Sequence, residues 1–106
     1  MDITEVSQHL FGRGMRLPIA AWIRSQPGGA AFYQRELAHG AGVDEQYVRR
    51  ELDSLCALGM VVRERRAQGE VRQYYNADRD HPLWSIIDIA VVAVERTEPA
   101  SKVRAL

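Results

Sequence analysis

A chain of 106 residues, 46% hydrophobic and 26% charged, has the composition of one globular domain and leaves no room for a second core. Its 14 Lys and Arg balance 14 Asp and Glu, so a formal charge of zero excludes bulk electrostatic attraction to nucleic acid as the source of any affinity. The single cysteine, Cys56, excludes an internal disulfide and a multi-cysteine zinc site.

Glycines and prolines divide the chain into short pieces. In the first, Asp2 to about Leu10, Ile3, Val6 and Leu10 recur at helical spacing, and Asp2 with Glu5 has the form of a capping box. The second, about Leu17 to Gln26, puts Ile19, Trp22 and Ile23 on one face; Pro18 suits its first turn and Pro27-Gly28-Gly29 ends it. Ala31-Phe32 reads as a short extended bridge. A brief helix from Gln34 to His39 follows, then a tight turn at Gly40-Ala41-Gly42-Val43. The fourth helix is the best defined: Asp44 is its N-cap, and Val48, Leu52, Leu55 and Leu58 step down one face of 45–58 to a C′ glycine, Gly59.

Beyond Gly59 the period changes. Met60–Arg66 and Val71–Asn76 are rich in β-branched, aromatic and arginine residues and flank Ala67-Gln68-Gly69-Glu70, which predicts a hairpin over 61–76. A last helix is expected from Pro82 to Arg96. The tail 97–106 contains Pro99, lacks periodicity and is expected to be disordered, leaving one domain over 1–96. The fold class is therefore mostly α with a β-hairpin. Two helices joined by a glycine turn and followed by a hairpin describe a winged helix-turn-helix.

Phe32-Tyr33-Gln34-Arg35-Glu36-Leu37-Ala38, Val48-Arg49-Arg50-Glu51-Leu52 and Leu55-Cys56-Ala57-Leu58-Gly59-Met60-Val61 resemble, in that order, the motifs of ArsR-type winged-helix transcriptional regulators. Tyr74 to Leu83 resembles the stretch that leaves the wing in the same group, so the likeness covers roughly residues 12–95. It implies a bacterial homodimer that binds double-stranded DNA through two-fold-related half-sites and acts as a repressor by occupying its operator.

With Val48, Leu52 and Leu55 inward, Gln46, Tyr47, Arg49 and Arg50 face outward near the start of the fourth helix, where a recognition helix meets the major groove. The same residues also suit a solvated face, with Arg49 paired to Glu45 or Asp53. Arg65 and Arg66 lead into the hairpin tip, placed for flanking phosphates or for protecting a sheet edge by charge. From Leu83 to Val94 only Ser85 and Asp88 are polar, which is too apolar for one small chain to bury. A dimer interface is therefore expected from Leu83, Ile87, Ile89, Val91 and Val94, supported by Ile3, Val6 and Leu10.

Other functions find little support. Cys56 alone, and Asp78, Asp80, His81 and Asp88 without further histidines, do not make the ligand set of a metal sensor, so neither metal nor cofactor is expected. Cys56 reads as a small core residue. No phosphate-binding loop, nucleophile elbow or spaced carboxylate pair is present, and an enzyme is not expected. The start Met1–Glu5 has no secretion-signal character, and the apolar run Ile89–Val94 is far short of the ~20 residues that span a bilayer, so a cytoplasmic protein is expected. The competing reading is a winged-helix protein-interaction module, or an antitoxin-like partner of a second protein.

Overall fold

Asp2 starts the first helix as its spacing requires. In the computed structural model its carboxylate accepts the Glu5 amide at 2.9 Å, while the Glu5 carboxylate accepts the Asp2 amide at 3.4 Å. These two reciprocal bonds satisfy amides that a helix start leaves without partners. The element order is α1 (Ile3–Phe11), α2 (Arg16–Ser25), β1 (Phe32–Tyr33), α3 (Gln34–Ala41), α4 (Glu45–Ala57), β2 (Val61–Arg63), β3 (Tyr74–Ala77) and α5 (Trp84–Ala105). The structure describes the backbone of residues 1–105 and the side chains of residues 1–96; the tail expected over 97–106 lies outside the fully described residues.

The core is built around α2. Leu17, Ile19, Ala20 and Ile23 are almost fully inaccessible, and α2 packs on α1, α3, α4 and α5. The sequence reading gave α2 one apolar face and made the last helix the element with too much apolar surface. In the fold α2 is the helix buried on several sides, which is why Leu17-Pro18-Ile19-Ala20 is uninterrupted by charge. Phe32, Leu37, Val48, Leu52, Val61, Tyr75 and Trp84 close the core around it.

Two boundaries move. First, α3 continues through Gly40 to Ala41, so only Gly42, Val43 and Asp44 connect it to α4. Gly40 is a packing residue and not part of the turn: a Cβ there would lie 2.0 Å from the Trp22 indole nitrogen. Second, strand pairing in the hairpin is shorter than expected. β2 and β3 pair antiparallel from Val61–Ala77 to Arg63–Tyr75, and one further bond, from the Glu64 amide to the Tyr74 carbonyl at 2.8 Å, ends the ladder. The Gln73 side-chain amide then donates to the Glu64 and Tyr74 carbonyls at 2.6 and 2.9 Å. A side chain takes the place of the next backbone partner, and residues 64–73 become a loop. β1 pairs with the other edge of β3, giving a three-stranded antiparallel sheet in the order β1-β3-β2.

The end of α4 is fixed by its backbone. Gly59 has φ 78°, a conformation that suits glycine. Its amide donates to the Cys56 carbonyl, and the Met60 amide donates to the Leu55 carbonyl, both at 3.0 Å, which is a Schellman closure. The Met60 carbonyl in turn accepts the Asp78 amide at 2.9 Å and the Trp84 indole N–H at 3.2 Å. One residue, through its amide and its carbonyl, thus joins α4, β2, the segment after β3 and α5.

Among the described residues, no helix is long and apolar enough to cross a membrane.

Candidate nucleic-acid interface

The start of α4 is held by Asp44, whose carboxylate accepts the Gln46 amide at 3.1 Å. Val48 and Leu52, both fully buried, fix the rotation of the helix about its axis. That rotation leaves Gln46, Tyr47, Arg49 and Arg50 exposed, with Tyr47 at 48%. Arg65 and Arg66 are exposed in the loop after β2.

Two acids of α4, Glu45 and Asp53, pair with arginines of other elements. Glu45 pairs with Arg35 of α3 at 3.7 Å, and Asp53 pairs with Arg63 of β2 at 2.6 Å. The i,i+4 pairs that would neutralise Arg49 do not form. Among the described residues Arg49, Arg50, Arg65 and Arg66 have no carboxylate partner. Arg49 and Arg66 converge on a groove of about 420 Å³ between α3, α4 and the 64–73 loop, also lined by Tyr33, Gln34, Arg35, Arg72 and Gln73. Four arginines and one carboxylate, Glu45, border it, a local excess of positive charge that the neutral total conceals. Gln46, Tyr47, Arg50 and Arg65 lie outside this lining.

Tyr33, Gln34, Arg35 and Gln73 line this groove without being singled out as site residues by the sequence, and Arg72 is marked there only as one of the hairpin arginines. The Arg72 guanidinium sits 4.5 Å from the centre of the Tyr33 ring, tying the loop to the strand before α3. The sequence signal was present in the arginine content of 61–73, but the contact to Tyr33 depends on β1 joining β3, which spacing does not reveal. Tyr75 is buried and Tyr74 half-buried, on opposite faces of β3 as the alternation predicts.

The expected dimer residues divide. Ile87 and Val94, at 5% and 6% exposure, belong to the core of a single chain, together with Trp84 and Ala90. Assigning them to an interface is corrected: at three- and four-residue steps they form the stripe of α5 that meets α2. The outward apolar stripe is Ile86, Ile89 and Val92, with Ile89 the most open at 71%. Leu10 is exposed on α1, whereas Ile3, Val6, Leu83 and Val91 are half-buried.

Two polar residues of the last helix region have structural partners. Asp88 accepts two hydrogen bonds from Arg24 of α2, both at 3.0 Å. The Arg24 guanidinium holds the Asp88 carboxyl below the usual carboxylate range. The His81 ring nitrogen Nδ1 accepts the Leu83 amide at 3.2 Å. Among the described residues no three His, Cys, Asp or Glu side chains converge. Cys56 is half-buried; burial pushes its thiol up, Arg63 opposes and Asp53 reinforces the shift.

Comparison with known protein families, with curated proteins and with solved structures finds no match for this chain.

Proposed function

We propose that this chain is a cytoplasmic winged helix-turn-helix protein that binds double-stranded DNA as a homodimer and represses transcription by occupying its operator. In this reading α4 is the recognition helix in the major groove, and the β2–β3 hairpin with its 64–73 loop is the wing on flanking DNA. The observation that carries the reading is the partition of charge around α4: Glu45 and Asp53 are engaged by Arg35 and Arg63, so Arg49 and Arg66 stand unpaired in one groove. Helix–short turn–helix geometry and the β1-β3-β2 sheet support it. The reading needs neither enzymatic activity nor a bound cofactor.

The test is a binding series on DNA selected from a random pool, set against a scrambled duplex. An arginine of α4 that reads a base should, on replacement by Ala, lose about 1–3 kcal/mol on the selected site only. Arg65→Ala with Arg66→Ala should weaken both duplexes and reduce the salt slope by roughly 0.9 for each lost phosphate contact. If Gln46→Ala, Arg49→Ala, Arg50→Ala and the wing variants all bind both duplexes as the wild type does, the protein-interaction reading replaces this one.

A further inference from the structure

A second groove, of about 390 Å³, lies on another side of α4, between its last turn, the end of α1 and the start of α5. Phe11, Leu55, Leu58, Met60, Ile86 and Ile87 give it a carbon surface. Leu58 and Ile86 stand at its mouth at 53% and 51% exposure. Its only polar lining residues are Arg16 and Ser54.

Arg16 is the informative residue. Its Nε donates to the buried carboxylate of Glu51 at 3.1 Å, and Arg13 takes the other oxygen of that carboxylate at 3.6 Å. One carboxylate shared by two guanidiniums leaves one positive charge uncompensated. Neither Nη of Arg16 has a hydrogen-bond partner among the described residues, and the guanidinium carbon lies 6.0 Å from the centre of the Phe11 ring. The Ser54 hydroxyl also lacks a partner among the described residues. A mostly apolar concavity with a few solvent-reaching polar donors is the usual form of a small-molecule site, and this volume lies toward the lower end of the usual range, about 300–1,000 Å³.

We propose that this groove binds a small amphiphilic anion: an apolar body against Leu55, Leu58 and Ile86, and a carboxylate or similar head on Arg16 and Ser54. The charge argues for the anion, because a neutral apolar ligand would displace water from the Arg16 donors and return no hydrogen bond. The proposal stands independently of DNA contact, since this groove shares no residue with the arginine-lined one; it shares Ile86 with the apolar stripe of α5 on which self-association would rest.

Octanoate and octan-1-ol are the probes, titrated into the full-length protein by calorimetry and by amide chemical-shift mapping. Octanoate is expected to bind one-to-one, roughly tenfold or more tighter than octan-1-ol, with shifts confined to residues around Leu58, Leu83 and Ile86. Leu58→Glu and Leu58→Lys remove the same exposed apolar side chain and leave the core untouched. The Glu variant should lose octanoate binding while the Lys variant keeps it. Equal affinity for acid and alcohol overturns the proposal, as does equal loss in the two Leu58 variants. Absence of saturable octanoate binding in a protein whose Leu58 and Ile86 amides shift on self-association also overturns it, and makes the groove a contact between copies.

Discussion

Gly40 and Glu51 show how single positions are decided by neighbours that no periodicity announces. In an exposed helix interior, Gly→Ala is worth about 1 kcal/mol in favour of Ala. At Gly40 the added methyl would meet three indole atoms of Trp22 within 2.9 Å, and that ring is itself packed edge-on against Phe32. Overpacking of this kind costs about 1–3 kcal/mol, so Gly40→Ala should lower the urea midpoint despite its helix propensity. An increased midpoint would mean that the indole swings away freely. Glu51 is 4% exposed on the same side of α4 as Val48 and Leu52, and it is held by Arg13 and Arg16. Removing the acid, as in Glu51→Gln, leaves two arginines that already reach solvent. Removing Arg16, as in Arg16→Met, leaves a buried carboxylate with only its longer partner. Arg16→Met should therefore destabilise more than Glu51→Gln, by about 1–2 kcal/mol in equilibrium unfolding. The reverse order would show that the desolvation of Glu51 is not the controlling cost.

At the scale of elements, the parts legible in the sequence were those governed by local rules. The capping box at Asp2, the Asp44 cap, the spacing of Val48, Leu52 and Leu55 in α4 and the glycine after it all depend on residues within a few positions of each other; Leu58, expected on the same face, is instead the exposed C-cap. The parts that were illegible depend on partners far along the chain. Ser7 is fully buried on α1 because its hydroxyl donates to the Arg13 carbonyl and accepts the Leu17 amide, bridging α1 to α2. Asp88 had no assigned partner in the sequence because Arg24, which faces it, lies 64 residues earlier. The same distance hid the division of α5 into an inward stripe through Ile87 and Val94 and an outward one through Ile89.

The Arg24–Asp88 contact between α2 and α5 has a pH signature. Hydrogen bonding to Arg24 lowers the Asp88 pKa in the folded state, with burial opposing and the positive charge of Arg24 adding to the effect. A group whose folded pKa is depressed contributes stability above its unfolded pKa, near 3.9, and loses it as pH falls through the lower folded value. With the Asp88 side chain 47% exposed, screening limits the contribution to about 1 kcal/mol or less. Asp88→Asn should be less stable than wild type at pH 7, with the gap closing as the pH falls below about 4. A gap that is constant with pH would place the effect in packing instead of charge.

For the whole molecule, the open stripe of Ile86, Ile89 and Val92 is the surface on which self-association is expected to rest. A dimer should have twice the 12.0 kDa mass of the chain in light scattering at micromolar concentration. Ile89→Glu should give a folded monomer, because the residue is 71% exposed in one chain and its charge would be buried only in the pair. Ile87→Glu should instead unfold the protein, since Ile87 lies in the chain's own core. A wild-type protein that stays monomeric across that range would remove the dimer from the proposed function.

Met60 works as a pin between helices. Its amide closes α4, and its carbonyl holds both the indole of Trp84 at the start of α5 and the Asp78 amide beyond β3. The start of α5 and the end of α4 are therefore tied through one residue, and a tilt of α5 against a second copy would pull on the end of α4. In a dimer built on α5, the distance between the two α4 helices would be geared to the crossing angle of the α5 pair. On the proposed DNA-binding reading, any contact that changed that angle would alter the spacing of the half-sites without touching α4 itself.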